Sequence, residues 1–179
     1  MEPTVNDKRL RVSLAVVSAA ALVAIAAWHQ AYEALDKSRT LAVASLLQPT
    51  ALLLKENLAL IKELQAEPFA EKDAGILASY LAKIRRDGVA KNAQMKQHLD
   101  QLAENNIAIV ALISAHAPYA KTQAFTAEAD KFRKYAAAWR DRWNSVMELF
   151  MAGGAYASAE VQFPKSFPDA VQEETARSH

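Results

Sequence analysis

The segment Val12–Trp28 constrains this chain most, because it carries no charge and is mostly apolar. As a helix it would be about 25 Å long, which is the short end of what crosses a bilayer core of about 30 Å. Leu10 can lengthen it, since the Arg11 side chain can reach the headgroups. Trp28 and Tyr32 follow at the far edge, where aromatic rings favour the membrane interface. We therefore predict a transmembrane helix over residues 12–28.

The basic residues around this segment predict its orientation. Three precede it and two follow it over a comparable distance, namely Lys8, Arg9 and Arg11 against Lys37 and Arg39. Because positive charge is retained on the cytoplasmic side, we expect a cytoplasmic leader over residues 1–11. The rest would lie in the periplasm of a bacterium, anchored in its inner membrane. The side chains expected at the membrane interface are Arg9, Arg11, Trp28 and Tyr32.

Two other interpretations of the same segment stay open. A basic start, a short apolar stretch and Ala24-Ile25-Ala26 are also typical of a cleaved signal peptide. Cleavage and anchoring would both carry residues 29–179 out of the cytoplasm. The third interpretation is a buried helix of a soluble protein.

The composition predicts the fold class and excludes several kinds of site. The chain has no cysteine and only four glycines among 179 residues. Disulfides, thiolate metal sites, cysteine nucleophiles and covalent c-type haem are therefore excluded. Strong helix formers dominate, which predicts an all-α fold. A net charge of +1 gives no reason to expect nucleic acid.

After the anchor, residues 29–157 show the periodicity of an antiparallel four-helix-type bundle. A first helix is predicted over residues 29–66, with Pro49 expected to kink or break it. Its apolar positions are Tyr32, Leu35, Leu46, Leu53, Leu60 and Leu64. A turn is predicted at residues 67–70, before a second helix with acidic residues in its first turn.

The second helix and its continuation form one predicted run that is interrupted at Gly88. Arg85 and Arg86 followed by glycine indicate a helix C-terminus. Both a kink and a full break at Gly88 are compatible with the sequence. With a reversal near residue 68, Pro49, Gly88 and Gly153 would lie in one layer. The chain would then form a short hairpin over residues 50–87 and a long one over residues 89–152.

The last long helix has the most regular pattern. One column of side chains repeats every seven residues, and a second follows at an offset of four, ending at Gly153-Gly154. The two columns are Phe125, Phe132, Trp139 and Val146, and Ala129, Ala136, Trp143 and Phe150. Such a seam is typical of a helix packed in a bundle.

Residues 158–179 form a tail with two Phe-Pro units. Phe163 and Phe167 each precede a proline, so this part of the tail is predicted to be extended, with a short helix possible from Asp169. The two phenylalanines either pack back onto the bundle or dock into a partner's groove. We expect partner docking, in which case removal of residues 161–179 would leave the bundle stable.

A basic cluster in the last long helix is the other predicted partner surface. It comprises Lys131, Arg133, Lys134, Arg140 and Arg142. Such a cluster is either a solvated face or a contact for an acidic partner or lipid headgroups.

Met95, His98 and Met147 are the side chains that most suggest a metal or haem site, since the pair His29 and Glu33 would need ligands from elsewhere. His with Met is an axial pair of haem proteins and also suits copper. However, Met commonly fills core space, and no metalloprotease, calcium, phosphate-loop or hydrolase motif is present. We therefore expect no cofactor and no enzyme activity.

These observations lead to one functional expectation and one alternative. The expectation is a single-pass membrane subunit that binds or scaffolds a larger membrane protein assembly. Its partners would be the bilayer and other proteins of that assembly. The alternative is a periplasmic helical bundle that senses or binds a ligand, haem or copper.

Overall fold

A computed structural model of the chain describes residues 5–66, 75–154 and 162–178, apart from the side chains of residues 5–22, 39 and 42. Every regular element in these ranges is helical, which confirms the predicted all-α fold. The helices are α1 (Val5–Ala66), α2 (Ile76–Asp87), α3 (Ala93–His116), α4 (Gln123–Ala152) and α5 (Phe167–Ser178). The predicted turn at residues 67–70 lies outside the described residues.

The chain divides into two units, Met1–Ala42 and Val43–His179. The first contains the N-terminal part of α1, and the second contains the bundle and its core. Within the part of the chain that the structure describes, no helix is long and apolar enough to cross a membrane. The side chains of residues 12–22 are not described, so the transmembrane anchor over residues 12–28 stays a prediction.

In the second unit, α1 buries a seam that differs from the predicted one. The buried positions are spaced alternately by four and three residues and include Thr50 and Asn57. They are Val43, Leu47, Thr50, Leu54, Asn57 and Leu64. Leu46, Leu53 and Leu60, which the sequence placed on the core face, are only half-buried. Of the other predicted positions, Leu64 is buried, whereas Tyr32 and Leu35 in the first unit are exposed. The predicted phase was therefore wrong by one residue at Leu46, Leu53 and Leu60.

Pro49 does not end α1, which continues through it. Proline lacks the N–H that would donate to the carbonyl four residues earlier, but the next residue adds a bond in the same turn. The Thr50 hydroxyl donates to the carbonyl of Leu46 at 2.7 Å. Of the kink or break predicted at Pro49, the break is therefore wrong, because α1 is continuous there.

The direction of α2 also differs from the prediction, because α2 runs parallel to α4. Ile76 and Trp139 line one cavity, and the rings of Tyr80 and Trp143 lie 5.5 Å apart. At its end, Arg85 donates to the carbonyl of Leu149 at 2.9 Å and to that of Gly154. Residue numbers therefore rise together along the two helices, and the predicted short hairpin over residues 50–87 is wrong.

The chain reverses at Gly88 instead, which has a positive φ of 85°. Residues with a side chain rarely adopt that backbone conformation, so glycine is required there. After the reversal, α3 runs antiparallel to α1, because Asn57 bonds Asn106 at 2.9 Å and Glu63 lies 3.7 Å from His98. This register places Pro49 level with the last turns of α3, far from Gly88, so the two do not share a layer.

The predicted seam of α4 is confirmed. Seven of its eight positions are buried and Phe150 is half-buried. The helix begins after Thr122, whose hydroxyl accepts a hydrogen bond from the Phe125 N–H at 3.1 Å. It ends at Gly153, whose φ of 70° is the left-handed conformation of a C-cap glycine.

Helix α5 runs antiparallel to α4 and covers its N-terminal half, whereas α2 covers its C-terminal half. Phe163 lies 5.4 Å from Tyr135, and Phe167 is stacked at 4.8 Å on Phe132. α1 (from Val43), α3 and α4 are thus the three long helices of the second unit. The fourth position along α4 is shared by two helices of 12 residues each.

Phe167 is fully buried, which corrects the expectation that it docks into a partner. It contacts the rings of both Phe125 and Phe132. The Phe-Pro unit at this position starts α5, since proline is well tolerated in the first turn of a helix. The tail therefore completes the core of its own bundle.

We expect Phe167→Ala to lower the free energy of unfolding by about 3–5 kcal/mol, because it removes a fully buried ring. Phe163→Ala is the matched control and should cost less, since Phe163 is only half-buried. Urea denaturation followed by circular dichroism measures both values. An unfolding free energy for Phe167→Ala equal to that of the unmodified chain would contradict this placement of α5.

Candidate functional site

The feature that most resembles a small-molecule binding site is a cleft of about 410 Å³ where α2 and the segment before α5 meet. This volume lies within the range of roughly 300–1,000 Å³ that is usual for small-molecule sites. The lining side chains come from α1, the start of α2, the middle of α4 and residues 162–165. The apolar ones are Leu58, Ile61, Ile76, Leu77, Ala78, Tyr135, Trp139 and Phe163.

The aromatic side of this cleft is held in place by neighbouring rings. Phe163 makes edge contacts with Tyr135 and, at 6.0 Å, with Phe132. Trp139 lies 6.1 Å from Trp143. The turn that carries Phe163 is fixed to α4, because the Ser166 hydroxyl donates to a Glu128 oxygen at 2.7 Å. The wall is therefore preformed by packing.

Glu128 stabilises that turn as a carboxylate. Hydrogen bonds from Lys131 and Ser166 lower the pKa of its carboxyl group, against an opposing effect of burial. The lysine ammonium lies 2.6 Å from one oxygen, while Ser166 holds the other. Lys131, predicted to contact a partner, therefore supports the position of the segment before α5.

The other members of the predicted basic cluster do not form one surface. At about 100° per residue, Lys131 and Arg142 flank one side of the buried face of α4, and Arg133 and Arg140 flank the other. Lys134 points away from the core and is exposed. Arg133 pairs with Asp130, and Arg140 lies 3.9 Å from Asp141. The structure thus distributes this charge around the helix.

The membrane-interface prediction concerns the first unit. Trp28 and Tyr32 are 75% and 66% exposed, while the side chains of Arg9 and Arg11 lie outside the described residues. Ile25 and Leu35 are also exposed. At 3.6 residues per turn these four apolar side chains fall within about 80° of the α1 surface, so they form one stripe along it.

Met95 and His98 line a second cavity of about 440 Å³. Met95 is buried, and the His98 imidazole lies 3.7 Å from the Glu63 carboxylate. The lining does not include Met147, which is half-buried against the core. Among the described side chains, no group of three His, Asp or Glu residues could hold a metal ion.

A buried polar centre joins α5 to the connection between α3 and α4, and sequence reasoning missed it. Glu174 is fully buried and faces His116, Lys121 and Thr122. One carboxylate oxygen accepts the Lys121 N–H at 2.6 Å and lies 3.1 Å from His116 Nε2. The other accepts the N–H and hydroxyl of Thr122 at 2.9 and 2.7 Å. The only sequence signal was a glutamate at helical spacing from Ala170 and Val171.

The protonation state of this centre follows from its hydrogen bonds. Burial raises the pKa of the Glu174 carboxyl group, but hydrogen bonds from Thr122, Lys121 and His116 outweigh burial and hold the pKa below its ordinary value. Charge-assisted hydrogen bonds of this kind are the strong ones in proteins. The arrangement is a clamp between helices, and it leaves no oxygen of the carboxylate open to a substrate.

No protein-family model, curated protein or solved structure matches this chain.

We expect Glu174→Gln to lower the free energy of unfolding by about 2–3 kcal/mol at pH 7, because at least one buried donor loses its acceptor. Glu173→Gln is the matched control. Glu173 forms only a surface ion pair with Arg177 at 3.0 Å, a kind worth at most about 1 kcal/mol.

The same pair of variants tests the charge on Glu174. Because the folded-state pKa lies below the unfolded value of about 4.3, its contribution is fully present above that pH and is lost as the pH falls through the folded-state pKa. The difference between the unmodified chain and Glu174→Gln should therefore shrink below about pH 4. A difference that stays constant down to pH 3 would contradict an ionised Glu174.

Proposed function

We propose that this chain is a non-enzymatic, single-pass membrane subunit whose periplasmic helical domain binds a larger membrane protein assembly. The observation that carries the proposal is the exposed apolar stripe of Ile25, Trp28, Tyr32 and Leu35 on α1. Large apolar side chains that lie together on an exposed surface mark contact with a membrane or another protein.

The position of the stripe supports two successive roles. Ile25 and Trp28 belong to the predicted anchor, and Trp28 and Tyr32 suit the membrane interface because their rings combine an apolar body with a polar group. Leu35 follows one turn later, beyond the predicted interface. It continues the stripe at the spacing by which helices pack against each other, so a partner helix is the occupant that fits there.

The core of the bundle supports a binding role rather than catalysis. Its buried acid, Glu174, is saturated by hydrogen bonds, and the carboxylate that His98 faces among the described residues is Glu63, at 3.7 Å. Partner binding requires only a stable scaffold and an exposed surface.

The anchor is tested by washing membranes with alkaline carbonate. We expect the full chain to stay in the membrane pellet, and Val16→Glu with Ala20→Glu to release it, since a charge at the centre of a span costs about 2.5–3.5 kcal/mol. Ala124→Glu with Ala137→Glu is the control, because both positions are exposed on α4. Release of the unmodified chain into the soluble fraction would contradict the anchor.

The partner contact is tested on native gels of membranes extracted with mild detergent. We expect the chain to migrate in an assembly, and Tyr32→Asp with Leu35→Asp to return it to its own mass of 19.6 kDa. Gln30→Asp with Lys37→Asp is the control, since these exposed residues lie on the opposite side of α1. Equal loss of the assembly in both double variants would count against the stripe as the contact.

A further inference from the structure

The cleft between α2 and the segment before α5 has a chemistry that the proposed function does not use. Its walls consist of three aromatic and five aliphatic side chains, and the polar side chains that line it are two lysines and two glutamines. The lysines are Lys62 and Lys165, and both are exposed. No carboxylate of the described residues lines the cleft, so the two charges that its described lining carries are both positive.

Neither lysine is engaged elsewhere in the described part of the chain. The ion pairs formed there leave out Lys62 and Lys165, whereas Lys96 and Lys131 pair with a carboxylate within one helical turn. A lysine stem can follow an apolar wall while its ammonium group stays at the water boundary. Two unpaired cations at the edge of an apolar cleft are placed to receive a negative group.

The second cavity provides the contrast. It is similar in volume, at about 440 Å³, but Glu63 lines it together with Lys83, Lys91 and His98. Its charges are of both signs, so it does not select for an anion. The cleft with Lys62 and Lys165 combines one sign of charge with an aromatic wall.

We propose that this cleft binds a small amphipathic carboxylate, whose apolar body contacts Tyr135, Trp139 and Phe163 and whose carboxylate lies between Lys62 and Lys165. Offset and edge-to-face contacts with the aromatic wall favour a flat apolar body, and charge-assisted hydrogen bonds from lysine favour the anion over a neutral analogue. Helices α2 and α5 both begin beside the cleft, and the positive ends of their dipoles also favour a negative group there.

Preorganisation supports the assignment. Phe163 is fixed by the rings of Phe132 and Tyr135, and its turn is fixed through Ser166 and Glu128. A ligand entering the cleft would therefore order few additional side chains, which lowers the cost of binding. This site lies wholly in the second unit and does not depend on the membrane anchor.

The test is isothermal titration of the full chain in non-ionic detergent with 1-naphthoate, using protein-free detergent as the blank. We expect saturable binding of naphthoate. The neutral isostere 1-naphthamide should bind at least about tenfold more weakly. Lys62→Gln with Lys165→Gln should raise the Kd for naphthoate by about tenfold. The matched control, Lys55→Gln with Lys134→Gln, removes two exposed lysines that line neither cavity and should leave the Kd unchanged.

A second variant tests the sign of the charge without removing a lysine. Gln65→Glu adds one negative charge to the cleft wall at nearly constant shape and should also raise the Kd by about tenfold. Circular dichroism confirms that each variant is folded. The proposal is overturned by the absence of saturable naphthoate binding, by equal affinity for naphthamide, or by equal losses in the two lysine double variants.

Discussion

The packing of α5 against the connection between α3 and α4 depends on the hydrogen bonds of the buried Glu174 carboxylate. A carboxylate in a dry core is unfavourable unless its oxygens are hydrogen-bonded, and here two backbone N–H groups, a hydroxyl and an imidazole provide those bonds. Lys121 and Thr122 directly precede α4, and the Thr122 hydroxyl that donates to Glu174 also accepts the Phe125 N–H. The contacts that stabilise the charge therefore also hold the capping residue of that helix in place. Helix α5 is thereby joined to the turn that it covers.

This clamp has a consequence for the centre of the molecule. Because Glu174 fixes the C-terminal part of α5 beside Thr122, α5 covers α4 only as far as Phe132, and the segment before α5 reaches Tyr135. Helix α2 covers α4 from Trp139 onward. A single long helix would have covered this side of α4 along its whole length. Two short helices leave a gap where both begin, and the cleft with Lys62 and Lys165 is that gap.

The sequence was sufficient for the helices and for the seam of α4, because Phe125, Phe132 and Trp139 are large, regularly spaced and bounded by Gly153. It was insufficient for the direction of α2. A turn near Pro68 suggested a hairpin, but local signals do not encode which neighbour a short helix joins, and Tyr80 packs against Trp143. The Glu174 centre and the cleft were also out of reach, since each assembles residues that are distant in the chain.

The error in the phase of α1 has a particular physical cause. Leu46, Leu53 and Leu60 form an entirely apolar row, whereas the row that is buried contains Thr50 and Asn57. Hydrophobicity alone favours the first row, but rotating α1 to bury it would move Asn57 away from Asn106, which it bonds at 2.9 Å. Asn106 would then remain in the core without that partner, at a cost of about 1–3 kcal/mol. The asparagine pair thus selects one of two competing rows, as a single buried polar residue selects the register of a coiled coil.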